Sequence, residues 1–377
     1  MGDLRLATAT IDFENSGGLM LKSPSRSILD NHGPHQRSNV TGAPVNRVER
    51  LARRFDSWQQ RHPLMAFAVA VLKKFGDDQA GNQVALLTYY AFVATFPLLL
   101  ALTTILGVAL RKYPELQRDL VNSAFAEFPI IGAQIHDQLG VATFGNAFSL
   151  AVGVLGALVG GRGFANALQN TFSTLWSVPR VDRPGFPTKY LRAGGLLLLL
   201  AVGSAVTAAA GAAAGAATAS GLHGLSARLI SIAVGSILGW AYFLAAYRIA
   251  TPARVPTRWM LPGAAISAVA WQLLLTGAGV ITTHLLRHAQ AVAGLFGMVL
   301  GLLAWFGLQA TVVVYAIEAD VVRARHLWPR SLVPPPLTDA DKVYYTDAVR
   351  AETQRPEQRL DIQYVPLDTA AARHEAG

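Results

Sequence analysis

Six segments of this chain contain no Asp, Glu, Lys or Arg: residues 79–110, 138–161, 193–227, 229–247, 259–286 and 288–317. Each reaches the roughly 17–25 residues that an α-helix needs to cross about 30 Å of hydrocarbon. Inside a bilayer only helices and closed barrels satisfy their own backbone hydrogen bonds. The six runs therefore predict an all-α, polytopic protein with six transmembrane helices occupying residues 79–320. Composition agrees, with 52% hydrophobic and only 15% charged residues, outside the ordinary soluble range. The third and fourth runs are parted only by the His223–Arg228 turn, and the fifth and sixth only by Arg287 and its neighbours. Both pairs are expected to form tight hairpins. No cleavable signal peptide is read at the N-terminus, so the first span is expected to act as its own insertion signal.

Basic residues alternate between the connections. The stretch before the first span carries Arg47, Arg50, Arg53, Arg54, Arg61, Lys73 and Lys74, the 162–192 loop carries five, the 248–258 loop carries three, and Arg323, Arg325 and Arg330 open the C-terminal tail. The connections between them are poorer in Lys and Arg. Positively charged loops stay on the cytoplasmic side, which predicts a multi-pass inner-membrane protein with both termini cytoplasmic. The same dispersal accounts for the net charge of +9. Nucleic-acid binding would gather those charges on one soluble face with stacking aromatics, so no nucleic-acid partner is expected. The absence of cysteine excludes disulfides, thiolate catalysis and cysteine metal sites.

Outside the bundle the pattern changes. Residues 1–42 are polar and aperiodic, as in a disordered cytoplasmic arm. Residues 43–78 read as amphipathic or interfacial helices. Val45, Val48, Leu51, Phe55 and Trp58 recur every three or four residues with arginines on the other faces, a pattern that suits anionic headgroups or packing on cytoplasmic loops. "LMAFAVAVL" after Pro63 is too short to span. Residues 321–377, with "PPPL" at 334–337, read as a flexible cytoplasmic tail.

Within the spans, GxxxG pairs at Gly156/Gly160, Gly211/Gly215, Gly235/Gly239 and Gly297/Gly301 permit close helix packing. Pro97 removes a backbone hydrogen bond from the first span and should kink it. Thr95, Tyr89 and Tyr90 are placed to serve the carbonyls so released, or to line a polar crevice. Asn146 and Gln309 add polar groups at depth. Arg162 and Glu318 stand at the ends of the second and sixth spans, where a pair between them would neutralise two costly charges and latch the cytoplasmic side of a cavity.

With these elements in view, the chain resembles the YihY/BrkB family of bacterial inner-membrane proteins, and within it the YhjD-like branch. The resemblance rests on "LLTYYAFVATFPLLL" in the first span, "GRGFANALQNTFSTLWSV" after the second, "GMVLGLLAWFGLQATVVVYAIEAD" in the sixth, and the number of spans. It covers roughly residues 60–328. The family has carried the labels ribonuclease BN-like, virulence or serum-resistance factor, and exporter of lipids or other anionic amphiphiles. A ribonuclease using metal-activated water would need clustered His and carboxylate ligands, which this sequence does not offer. P-loop, nucleophile-elbow and dinucleotide motifs are missing too. The expectation is a non-enzyme without metal or cofactor. Two functions stay open: a transporter or flippase of an amphiphile, anionic lipid being the class the resemblance implies, or a membrane scaffold recruiting protein partners or anionic lipid. In the first, Tyr89, Tyr90, Thr95, Pro97, Asn146, Arg162, Gln309 and Glu318 border the cavity. Homo-oligomerisation is left open.

Overall fold

The computed structural model describes the backbone of residues 47–109, 147–219, 225–334, 336–360 and 362–364. The disordered arm expected at 1–42 and Asn146 lie outside the described residues. Every regular element among them is helical: α1 (Arg47–Gln60), α2 (Pro63–Asp77), α3 (Ala80–Ala109), α4 (Ala147–Leu175), α5 (Thr188–Ala219), α6 (Leu225–Ala250), α7 (Leu261–Arg325) and α8 (Asp339–Ala351), with short 3-10 turns at Arg180–Asp182 and Thr257–Trp259.

The helices approach one another through glycine, as expected where packing rather than water exclusion drives association. On α4, a Cβ at Gly156 would lie 2.8 Å from the Pro97 ring and one at Gly160 would lie 3.0 Å from Ala94 Cα, so this GxxxG pair is the bearing surface for α3. Gly163 extends that surface under the Tyr90 ring, and Gly161 receives Leu197 of α5. Gly235 and Gly239 of α6 face Gln272 and Ala268 of α7 more loosely, at 3.7 and 3.6 Å from where a Cβ would stand.

α7 is helical from Leu261 to Arg325 but is not a single rod. At 1.5 Å rise per residue a straight helix would hold Gly263 and Asp320 roughly 85 Å apart; instead the Gly263 N–H donates to the Asp320 carboxylate at 2.8 Å. The Tyr247 hydroxyl also meets Ser267 Oγ at 2.6 Å and the Val313 carbonyl at 3.5 Å. The chain therefore doubles back on itself into two antiparallel arms. The tight hairpin expected between the fifth and sixth charge-free runs agrees with this antiparallel pairing.

One end of the bundle collects the starts of α3, α5 and α7 and the ends of α4, α6 and α7. Arg192 near the start of α5 donates to the Thr251 carbonyl just past α6 (2.8 Å), and Lys74 just before α3 donates to the Leu175 carbonyl that ends α4 (2.9 Å). The most deeply buried apolar residues, including Phe172, Trp176, Tyr247, Met260 and Val321, lie toward this end. Of the residues whose side chains are described, two helical stretches are by themselves long and apolar enough to cross a membrane, Ala233–Ala250 and Val299–Arg325.

The chain beyond residue 321 departs from the expected flexible tail. α7 runs on to Arg325, and α8 is held by a capping box in which Thr338 Oγ1 accepts from the Asp341 N–H (3.1 Å) while the Asp341 carboxylate accepts from the Thr338 N–H (3.1 Å). Tyr344 and Asp341 are buried. A polar, Pro-flanked segment looks flexible in isolation, but here its charges are matched by α2 and by the loop before α8.

Candidate functional site

The site is built around one buried ammonium. Lys74, near the end of α2, is fully buried and donates to three acceptors from three helices: Asp78 just past α2, the Leu175 carbonyl of α4, and Glu318 Oε2 of α7 at 2.7 Å. Each partner has a reason to be there. Leu175 ends a helix, where carbonyls lack intrahelical donors and the dipole favours a cation. Glu318 is itself fully buried, and a carboxylate at that depth requires a counter-charge. Burial opposes the charge of Lys74, but the carboxylates of Glu318 and Asp78 outweigh it and hold its pKa above the ordinary value.

Asp78 links this knot to the tail, since the Tyr344 hydroxyl donates to its Oδ1 at 2.5 Å. A second ionic layer follows. Arg330 donates through Nε to Asp341 (2.9 Å), lies 2.9 Å from Asp77, and stacks on the Tyr344 ring at 4.2 Å. The Arg330–Asp77 contact is close enough for ion pairing but is not aligned as a hydrogen bond, and Arg330 Nη1 has no partner. Lys73 adds a bond to Asp341 (2.9 Å) and one to the Ser331 carbonyl (2.6 Å). Burial pushes the Asp341 carboxyl up, yet the bonds from Lys73, Ser331, Thr338 and Arg330 prevail and hold it well below the usual range.

α1 is pinned to the same layer. Asp56 accepts from the Leu332 N–H (3.0 Å) and Ser331 Oγ (3.2 Å), and Gln59 donates to Asp56 and to the Arg330 carbonyl, both at 3.0 Å. Next to the knot, Asp320 caps the start of α7 through Gly263, where a Cβ would lie 2.1 Å from Asp320 Oδ2. Glu318 Oε1 and Asp320 Oδ2 are both buried without a hydrogen-bond partner.

The residues singled out from sequence are dispersed by comparison. Arg162 does not meet Glu318: its guanidinium lies 4.9 Å from the Tyr190 ring and donates to the Tyr190 hydroxyl at 3.2 Å. Arg162 is exposed, whereas Lys74 is already inside, beside Glu318. Tyr89 is exposed on an outward stripe of α3 with Leu86, Val93 and Phe96, while Tyr90 packs on Gly163. Thr95 donates to the Ala91 carbonyl at 2.7 Å, not to the Val93 carbonyl that Pro97 releases. Pro97 rests on Gly156, and Gln309 is half-buried on α7. Of these positions, only Glu318 belongs to the knot.

The family comparison can now be set against this geometry. The family model described as virulence factor BrkB matches residues 71–335. The chain belongs to the BrkB family. The match begins just before Lys73 and Lys74 and ends just after Arg330 and Ser331, so it takes in most of the knot. Among curated proteins, this BrkB-family chain is similar to inner membrane protein YhjD of Escherichia coli (strain K12), 25% identical over 265 residues that make up 66% of this chain and 77% of that one. No solved structure matches it.

Asp78 and Asp341 are not singled out by the sequence, Lys74 and Arg330 enter it only as basic residues that set topology, and Asp320 only as a charge closing the sixth span beside Glu318. Lys74 had a usable signal: a second lysine in a short apolar helix, at the i, i+4 spacing to Asp78 that ion pairs use. For Asp341, the "TDAD" run before an apolar helix face is a capping signature. Arg330 and Asp320 carry no local mark that separates them from other boundary charges.

Proposed function

We propose that this BrkB-family inner-membrane protein is a six-span, non-enzymatic transporter or flippase of an anionic amphiphile, with the Lys74 knot as its cytoplasmic closure. The six-span reading is supported by apolar stripes exposed on each arm: Leu86, Val93 and Phe96 on α3, Leu155 and Val159 on α4, Leu198 and Val202 on α5, Ile237 on α6, and Ile266, Leu273, Leu300 and Leu308 on the two arms of α7. Such surfaces suit lipid and are unfavourable in water. With Lys73, Lys74, Arg180, Arg192, Arg254, Arg325 and Arg330 gathered at the end that holds α2 and α8, that end faces the cytoplasm.

The observation that carries the transport reading is unspent hydrogen-bonding capacity inside the closure. Glu318 Oε1, Asp320 Oδ2 and Arg330 Nη1 are buried and unpartnered, although such groups cost about 1–3 kcal/mol or more each. A purely static seal gains nothing from them. A closure that re-pairs when it opens does, and ionisable residues at this depth are functional candidates by default. Opening would release Lys74 from the α4 terminus and offer cationic groups to an acidic headgroup.

A second reading, a membrane scaffold, draws on the dispersal of the polar side chains of α3 and α4, which do not converge among the described residues. One experiment separates the two. Protein in nanodiscs is assayed by mass spectrometry for co-purifying lipids and, in proteoliposomes, for transbilayer movement of a fluorescent anionic phospholipid. Wild type should enrich an anionic amphiphile and accelerate its movement, and Glu318→Gln should change both. Bulk lipid only, with rates equal to protein-free liposomes, would overturn transport in favour of the scaffold.

A further inference from the structure

α1 is amphipathic in an inverted sense. Its buried positions are polar, Asp56 and Gln59, and its exposed positions are large and apolar: Leu51 is 65% exposed, Phe55 52% and Trp58 45%. At about 100° per residue, 51, 55, 58 and 62 fall on one narrow stripe. The Trp58 ring is tilted against His62 at 4.5 Å and lies 5.8 Å from Phe55, so the stripe is a continuous aromatic surface. Arg54 and Arg61, both exposed, lie along the stripe's other flank, away from Asp56 and Gln59.

The helix cannot roll to hide that stripe. Asp56 and Gln59 are held by the hydrogen bonds from Ser331 and Leu332 and to the Arg330 carbonyl described above. Turning the apolar residues inward would bury arginines and strand a carboxylate. The polar contacts thus fix the apolar face outward, in a chain whose next helix leads directly into the first span.

We propose that the Leu51–Phe55–Trp58 face of α1 is seated in the cytoplasmic leaflet of the protein's own membrane and selects anionic phospholipid there through Arg54 and Arg61. The occupant is argued from charge complementarity and position. An aromatic stripe edged by arginines places rings at the acyl boundary and guanidinium groups among phosphates, and the cytoplasmic leaflet is the anionic one. This extends the membrane orientation proposed above and is independent of transport.

Because the chain contains no cysteine, a single fluorophore can report on each face. Full-length Phe55→Cys, Trp58→Cys and, as the off-stripe control, Ser57→Cys are labelled with bimane. The proteins are placed in nanodiscs of mixed phosphatidylglycerol and phosphatidylcholine, with one lipid or the other brominated close to the headgroup. Bimane at 55 and 58 should be quenched, several-fold more by brominated phosphatidylglycerol than by brominated phosphatidylcholine, and at 57 it should not be. Arg54→Gln with Arg61→Gln should remove the preference while leaving quenching in place. No quenching at 55 and 58 would overturn the proposal, as would equal quenching by both lipids, or loss of the signal into contact with a second copy as read by label self-quenching. Sidedness of Ser57→Cys labelling in sealed vesicles is read separately: a periplasmic result defeats the orientation, whereas a cytoplasmic result without quenching defeats the membrane seat alone.

Discussion

Lys74 shows how one side chain can hold several helix ends together. Its ammonium meets two carboxylates and a helix-terminal carbonyl with no water between them. Removing it leaves the Glu318 carboxyl buried without its counter-charge, a change that costs about 3–5 kcal/mol. Lys74→Met should therefore lower the thermal stability of the detergent-solubilised protein sharply, while Lys74→Met combined with Glu318→Met should recover most of the loss, since an apolar pair of similar volume removes both desolvation costs. Additive losses in that double-mutant cycle would show that the two residues do not depend on each other. Gly263 makes a steric case at the same scale. A methyl group there meets both Asp320 Oδ2 and, at 2.8 Å, the Ala316 carbonyl, so Gly263→Ala should destabilise by about 1–3 kcal/mol through overpacking. Gly235→Ala, where the nearest atom is 3.7 Å away, should be near neutral in the same unfolding scan.

At the scale of elements, helices were legible in the sequence and their partners were not. Charge-free runs mark α3 to α7 because length and polarity act locally. The Arg162–Glu318 pairing failed because sequence places both at the same depth but says nothing of which side of a helix each occupies; Arg162 faces outward to Tyr190 on α5. α8 was missed because its stability is tertiary: Asp341 gains Lys73 and Arg330 only after α2 and the 326–338 loop have met. That dependence has a pH signature. The Asp341 carboxyl ordinarily titrates near 3.8 and is held lower when α8 is docked, so its contribution is complete above about pH 4 and is lost as pH falls below that value toward the docked-state pKa. Asp56 is shifted in the same direction, with burial opposing and the Leu332, Gln59, Gln60 and Ser331 bonds prevailing. Hydrogen-exchange protection factors across residues 339–351, corrected for the intrinsic pH dependence of exchange, should therefore stay high at neutral pH and fall on acidification through that window, while Asp341→Asn should be weakly protected throughout. Protection that is unchanged in Asp341→Asn would detach α8 docking from this carboxylate.

For the whole molecule, the ends of α4, α6 and α7 and the starts of α3, α5 and α7 share one face, and the tail is tied to that face as well. The Val181 N–H donates to the Thr353 carbonyl at 3.1 Å, Arg180 lies 3.0 Å from Glu352, and Arg325 reaches both Asp347 (2.5 Å) and the Trp176 carbonyl (2.7 Å). In the proposed orientation that face is cytoplasmic. Single cysteines at Arg180, Arg254 and Arg355, exposed positions in three different segments, should thus all react with a membrane-impermeant maleimide only in inside-out vesicles, and none should react in intact spheroplasts. The sharper outcome concerns the closure. Lys74→Met frees the end of α4 from α2 and α7, so maleimide reactivity at a cysteine replacing buried Ser173 should rise several-fold from the cytoplasmic side while the three surface positions keep their rates. If Ser173→Cys stays unreactive when Lys74 is removed, the ammonium is a structural brace, and the closing of the cytoplasmic end must be assigned to the Arg330–Asp341 layer instead.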